Sequence, residues 1–271
     1  MPLLALTRAL ESVVREVARE VTLPRYLNSV RSHKADGSAL TEADELTQKA
    51  LIERLPAIKD APVLGEEMTA SEQLSVWHAA QEGLWVIDPV DGTTNFANGI
   101  PVFGLSVAYL VAGRTQFGVV YNPIADEAFY AALGAGAWLN GMRLPLRRGA
   151  DELALAVGGA DFKRVPPELA ARLATRSPCY SLRNFGSSAL EWCYVAAGRL
   201  DVYLHGGQML WDYAVGRLMV EEAQGHASDL DGRPIVPSPG AKQSVVVAAN
   251  ARLHAEWLSW IHAKAPPETA G

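Results

Sequence analysis

Two aspartates, Asp88 and Asp91, close the apolar run WVIDPVD and stand directly before Gly92-Thr93-Thr94. Two ionised carboxylates so close repel each other unless a cation sits between them. Carboxylate oxygens are hard ligands, suited to Mg²⁺ or Mn²⁺, whose remaining positions are filled by water and substrate phosphate. Gly92-Thr93-Thr94 reads as the opening of a helix, whose first N–H groups lack intrahelical partners and attract an anion. Cation and phosphate chemistry would then share one short stretch. Two further acidic turns follow or precede apolar segments: Gly65-Glu66-Glu67 after Val63-Leu64, and Trp211-Asp212 at the head of DYAVGRLMVEEAQG. A bare DxxDG spacing reads as readily as a turn after a solvated strand end. Spacing alone does not bring the three turns together.

The elements around these acids must position them. LWVIDPV reads as a buried strand ending at Asp88, because Pro89 cannot continue a ladder. Leu3, Leu6, Leu10, Val13, Val14, Val17 and Val21 recur every three or four residues, so the first segment is an amphipathic helix with Pro24 after its end. ALTEADELTQKALIERLP reads as a second helix, with Thr41 and Asp44 spaced as a capping box and Pro56 as its stop. RSHKADGSAL between them is turn-rich and reads as exposed. FGLSVAYLVAGRTQFGVVYNP predicts two strands about Ala112-Gly113-Arg114, and EAFYAALGAGAWLNGMRLPL a further pair with Gly134, Gly136 and Gly141 at the bends. Later, SALEWCYVAAG predicts a helix, DVYLH a strand, DYAVGRLMVEEAQG a helix, SVVVAAN a strand and ARLHAEWLSWIHA an amphipathic helix. The fold class is α+β, helices alternating with sheets. A soft boundary divides residues 1–148, with most of the acids, from residues 149–271, with Asp212.

Of 271 residues 49% are hydrophobic, which is enough for a sizeable core and excludes a disordered chain. No apolar run reaches the roughly 20 residues of a membrane helix. Arg8, Glu11, Arg15 and Glu16 exclude a secretory leader at the N-terminus, so the expected location is cytoplasmic. A net charge of −6 argues against nucleic acid as the partner but not against a small phosphorylated substrate, given metal ions. Cys179 and Cys193 have no metal-binding spacing and read as buried thiols.

WVIDPVDGTTNF and WDYAVGRLMVEEAQG resemble the first and second signatures of the inositol monophosphatase family of metal-dependent phosphomonoesterases. GEE at 65–67 and LTEAD at 40–44 are similar to its other acidic elements, so the likeness spans nearly the whole chain. It implies a layered αβαβα sandwich with a largely antiparallel mixed sheet and a second, smaller sheet. It also implies two or three Mg²⁺ ions, with Mn²⁺ as an alternative, lithium inhibition and a homodimer. By resemblance, Glu66, Asp88, the carbonyl of Val90, Asp91 and Asp212 bind metal. Glu66 holds the attacking water, and Thr93 with Asp44 orients it and accepts its proton. The amides of Gly92 and Thr93 hold phosphate oxygens, while Asp91 and Asp212 also face the substrate. The implied reaction is direct in-line attack of a metal-activated water on a small phosphate monoester, inositol 1-phosphate or a related polyol or sugar phosphate. Members acting on 3′-phosphoadenosine nucleotides or histidinol phosphate are the alternative, although those often carry a charged residue after DGT, where Thr94-Asn95 stands here. A catalytically idle binding protein is a more distant one.

The substrate side departs from the pattern. Inositol-phosphate members commonly place a glutamate seven residues before the second-signature aspartate, where this chain has His205. Histidine brings no fixed negative charge. Gly186, Ser187 and Ser188 resemble the element lining the sugar side, and the serines read equally as a helix N-cap. Lys34 reads as an exposed loop lysine or a phosphate contact, and Glu67 as a neighbour of the ligands. Glu221 and Glu222 read as a solvated face, and Trp85 and Trp211 as core anchors.

Overall fold

A computed structural model describes residues 2–28, 32–33, 39–80 and 82–263. The chain begins with α1 (Leu3–Val17), whose Leu6, Leu10, Val14 and Val17 are buried. A π turn over Ala18–Thr22 and a 3-10 turn over Leu23–Arg25 prolong it, so Pro24 lies inside the last turn, at its start, where a missing N–H is tolerated. A short antiparallel ladder joins β1 (Ser32–His33) to β2 (Ala39–Leu40), within the stretch read as exposed turn. Then come α2 (Glu42–Arg54), β3 (Val63–Gly65), α3 (Ala70–Ala79), β4 (Leu84–Asp91) and the single-turn α4 (Thr93–Ala97). A meander follows: β5 (Gly104–Val111), β6 (Arg114–Asn122), β7 (Glu127–Ala132), β8 (Gly136–Leu139) and β9 (Met142–Arg143). The second half runs β10 (Val157–Ala160), α5 (Pro167–Arg176), β11 (Ser181–Arg183), α6 (Ser188–Ala196), β12 (Val202–Gln208), α7 (Leu210–Glu222), β13 (His226–Ser228), β14 (Gln243–Ala248) and α8 (Ala251–His262).

Seven strands in the order β3-β4-β5-β6-β7-β8-β9 form the first sheet, parallel only between β3 and β4. Five in the order β11-β10-β12-β14-β13 form the second, in which β10 pairs parallel with both neighbours. Helices α1 and α2 cover the outer face of the first sheet, where Leu10, Val14 and Leu51 meet Trp85, Ile87, Val107 and Phe117. Between the sheets lie α6 and α7, whose Trp192, Tyr213 and Val215 join Val86, Leu110, Tyr203 and Val247 in one core. Beyond the second sheet, α5 and α8 bring Leu169, Leu173, Leu253 and Trp257 onto Val202 and Val246. The result is the αβαβα sandwich.

β4 shows why its sequence has no polar alternation. Trp85 and Ile87 face the outer core while Leu84 and Val86 face the inner one, so a strand covered on both faces is apolar throughout. Contrary to the expectation that it ends at Asp88, β4 runs through Pro89 to Asp91. Asp88 pairs with Ser106 and Asp91 with Gly104, and the register shifts between them. A bulge accommodates the proline that a regular ladder could not, and turns both acids to one end of the sheet. The segment 127–143 holds three strands, not two, because left-handed Gly134 and Gly141 each lie in a turn between strands. Helix α3 escapes a periodicity search because only Gln73 is buried on it, although its Thr69/Glu72 capping box is complete.

Gly216 sets the α6–α7 crossing: a Cβ there would stand 2.3 Å from Trp192 Cβ. Alanine is favoured over glycine in a helix by about 1 kcal/mol, but forcing a methyl into a packed helix crossing costs about 1–3 kcal/mol or more. The clash wins. Gly216→Ala is expected to lower unfolding stability by about 1–2 kcal/mol in urea titration; an unchanged or raised midpoint would contradict this packing.

Candidate metal and phosphate site

Three carboxylates meet where β4 and α7 end and begin. Oxygens of Asp88, Asp91 and Asp212 lie within 4.8 Å of one another, from positions over 120 apart in sequence. Asp88 is 1% exposed and Asp91 7%. Backbone donors fix each in place. Asp88 Oδ1 accepts the Val90 N–H at 3.1 Å, and Asp212 Oδ2 accepts the Met209 N–H at 2.8 Å, closing the N-terminus of α7. Glu66, half-buried in the turn after β3, joins them: it hydrogen-bonds Asp88, and its charge acts on Asp44, Asp91 and Asp212.

Such crowding shows in the acidities. Burial, then the charges of Glu66, Asp91 and Asp212, pushes Asp88 well above the ordinary carboxylate range. Asp212 rises for the same reasons, with Asp91 and Glu66 as the neighbouring charges. Asp91 is raised less, to about 6, because hydrogen bonds from Ser187 and the Ala189 and Ser188 amides oppose its burial. A cluster of oxygen donors, buried, mutually repelling and already oriented by amides, fits a divalent hard cation.

The capping box of α2 does more than start a helix. Thr41 N–H and hydroxyl both donate to Asp44 Oδ2, at 2.8 and 2.6 Å, so Oδ1 is left to face Thr93. Thr93 Oγ1 lies 3.0 Å from Asp44 Oδ1 and 3.0 Å from the Val90 carbonyl. Its one proton can serve either acceptor, while its lone pairs remain for another donor. Burial raises the Asp44 pKa above the usual carboxylate value despite these bonds. Gly92, at φ +91°, makes the left-handed step between strand and α4, and a Cβ there would stand 3.1 Å from the Gly186 and Val102 carbonyls.

Asp91 is also the link to the second half. Ser187 Oγ donates to Asp91 Oδ2, Ala189 N–H to the same oxygen at 2.8 Å, and Ser188 N–H to Oδ1 at 3.2 Å. The carboxylate thereby caps the N-terminus of α6 from outside the helix. Asn95 adds a second tie, its Nδ2 donating to the Val102 and Phe185 carbonyls, each at 2.7 Å. The hydroxyl of Ser187 is fully buried on Asp91, whereas Ser188 is only partly covered and Gly186 keeps a left-handed φ of +72° against Asn95.

His205 stands apart from the three acids. It is 3% exposed. Its Nδ1 accepts the Gly207 N–H at 3.1 Å, so the neutral ring carries its proton on Nε2, 3.6 Å from Asp161 Oδ2. Burial lowers its pKa to about 4, against the pull of Asp161. Below it, burial drives Glu191 up to about 8, with Asp91 and Asp161 adding to the effect. Asp161, Glu191 and Asn95 were given no role from the sequence: Asn95 and Glu191 lie inside α4 and α6, and Asp161 is a lone acid after β10.

The remaining candidates have structural partners. Glu67 N–H donates to Gln48 Oε1 at 3.1 Å. Glu222, read as solvated, instead accepts the Gly134 and Gly136 N–H groups at 2.6 and 2.7 Å and braces the β7–β8 turn, while Glu221 meets Arg114 at the surface. Trp85 is a core anchor, its indole N–H donating to the Lys59 carbonyl at 3.0 Å. The Trp211 carbonyl accepts Ser106 Oγ at 3.2 Å. Cys179 and Cys193 are free and buried. Lys34 lies outside the described residues. Among the described residues no helix is long and apolar enough to cross a membrane.

Comparison with known proteins agrees with this geometry. Nus factor SuhB of Pasteurella multocida is 39% identical over 204 residues, 73% of this chain and 74% of its own length. An IMPase of Thermotoga maritima shares 28% identity and a TM-score of 0.80, over 95% of this chain and 96% of that one. Staphylococcal IMPase-II, solved with inositol monophosphate bound, shares 25% identity and a TM-score of 0.77, over 96% of each chain. Residues 3–265 match the description of one family end to end: the chain belongs to the inositol monophosphatase family.

Proposed function

We propose that the protein is a Mg²⁺-dependent phosphatase of small phosphate monoesters, with inositol 1-phosphate or a related polyol or sugar phosphate as its substrate. The observation that carries this reading is the meeting of Asp88, Asp91 and Asp212 within 4.8 Å, beside a Thr93–Asp44 pair 3.0 Å apart. Glu66, Asp88, the Val90 carbonyl, Asp91 and Asp212 would hold two or three ions. When bound, Mg²⁺ acidifies the attacking water and neutralises charge on the phosphate and on the leaving oxygen.

The chain's own groups do the rest. Thr93 donates its proton to Asp44, so an oxygen lone pair is free to orient the water and take its proton. Amides of Gly92 and Thr93 hold phosphate oxygens at the start of α4. Asp91 and Asp212 would face both the ions and the substrate, with Gly186, Ser188 and the backbone near His205 on the sugar side. Phosphoryl transfer demands chiefly positioning and charge neutralisation, and the amide-fixed carboxylates provide the first. No covalent enzyme intermediate is required. Lithium inhibition and a homodimer belong to the same reading.

The Nus factor name of the SuhB relatives favours a second reading, a binding factor that keeps the fold without turnover. Phosphate release from a panel of inositol, sugar, histidinol and 3′-phosphoadenosine esters, with and without Mg²⁺, separates the two. Activity on none of them would remove the first.

Thr93→Val, which keeps shape and loses the hydroxyl, is expected to lower kcat about a hundredfold or more with little change in KM; wild-type turnover would overturn the Thr93–Asp44 assignment. The raised carboxyl pKa values also set a sign. A carboxyl whose folded pKa lies above its unfolded one destabilises the metal-free fold once the pH passes the unfolded value, and a bound cation removes that penalty. The rise in Tm on adding Mg²⁺ is therefore expected to shrink as the pH falls from about 7.5 to about 5, through the value of about 6 for Asp91. Asp88→Asn is expected to raise the Tm of chelator-treated protein and to blunt the Mg²⁺ response. A pH-independent Mg²⁺ increment would contradict metal binding at these acids.

A further inference from the structure

Beside the carboxylate centre the chain sets two exposed cations against a pair of glycines. β12 loses register with β14 between His205 and Gln208. The freed Gly206–Gly207 step is approached from both sides. A Cβ on Gly206 would stand 1.6 Å from the Arg164 carbonyl oxygen, and one on Gly207 3.5 Å from the Lys242 side chain. Glycine is required at the first position by that contact alone. From here β12 leads through Met209 directly into α7 and Asp212.

Arg164 is anchored from below. Its Nη1 donates to Asp161 Oδ2 at 2.5 Å, and Asp161 Oδ1 accepts the Lys163 N–H at 2.9 Å. His205 Nε2 faces the same Asp161 oxygen at 3.6 Å. Asp161 and His205 are buried, whereas the Arg164 side chain is 54% exposed. A buried carboxylate, itself faced by a buried imidazole, thus holds one edge of a guanidinium whose other N–H groups have no protein acceptor among the described residues. Both cations border the Gly206–Gly207 step shortly before Asp212; the Arg164 charge reaches Asp212, and both Arg164 and Lys242 act on His205. Neutral hydroxyls need no such pair, while an oxyanion matches a fixed guanidinium fork in both charge and geometry.

We propose that Arg164 and Lys242, flanking the Gly206–Gly207 step, bind a second anionic group of the substrate. The preferred substrates are then phosphate monoesters that carry a further phosphate or carboxylate. This deepens the phosphatase reading and rests on it. His205, at the place where inositol-phosphate members carry a glutamate, acts as the brace under that site and removes a negative charge that would repel the second anion.

The test compares matched pairs: fructose bisphosphate against fructose 1-phosphate for a second phosphate, and 6-phosphogluconate against glucose 6-phosphate for a carboxylate. Whichever doubly anionic member the site accepts is expected to show a kcat/KM roughly tenfold or more above its partner, the difference lying in KM. Arg164→Gln is expected to bring that ratio close to one, Lys242→Gln to lower it less, and Arg164→Lys to keep part of it. A wild-type ratio near one for both pairs overturns the proposal. So does a ratio that neither glutamine variant moves, since a purely structural role lowers both members of a pair alike. If no ester at all is hydrolysed, the phosphatase reading falls. Calorimetric binding of the same pairs in Mg²⁺ then decides the subsite alone: a preference lost in Arg164→Gln upholds it, and equal affinities overturn it.

Discussion

Like charges held close in a buried place are the constraint around which this molecule is built. Asp88, Asp91 and Asp212, with Glu66 beside them, would drive one another apart or take up protons if the surrounding backbone did not hold them. Each is gripped by amides: Asp88 by Val90, Asp212 by Met209, Asp91 by Ser188 and Ala189. Those amides are available because a helix begins there or, at Val90, because the β4 bulge breaks the ladder, leaving N–H groups that no ladder or helical turn uses. The fold therefore concentrates negative charge at the ends of its elements, and a divalent cation becomes the natural complement.

Two strands reach this region in the same way. β4 shifts register between Asp88 and Asp91, and β12 shifts between His205 and Gln208. A bulge redirects a strand without ending it, so residues on either side of it face a common space. At β4 the device is marked by proline, at β12 by two glycines. α2 serves the site differently, since the side chain that closes its N-terminus is Asp44, the partner of Thr93. Helix capping and the contact with Thr93 depend on one carboxylate, and stability of the helix fixes the geometry of the pair.

The acids of the centre were legible because they sit in turns after apolar runs, and the family signatures surround them. The strand and helix periods of β5, β6, α1, α6 and α8 were equally plain. Less legible were elements with little burial: α3, whose only buried residue is Gln73, and the half-exposed edge strand β11. β4 outran its expected end because a proline forbids a ladder bond, not an extended backbone. Asp161 was invisible for another reason. It follows β10 as a single acid with no second one beside it, and acquires meaning only when β10 pairs with β12 and brings it to His205. Long-range pairing of this kind leaves no local signal.

Ser187, Ser188 and Ala189 all bond to Asp91 across roughly a hundred positions of chain. The acids of residues 1–148 are consequently incomplete without α6. A chain stopped before it would keep Glu66, Asp88 and Asp91 yet lose the Ser187, Ser188 and Ala189 donors that hold Asp91. Synthesis from the N-terminus thus produces Glu66, Asp88 and Asp91 well before the donors that clamp Asp91, and Asp212 last of all.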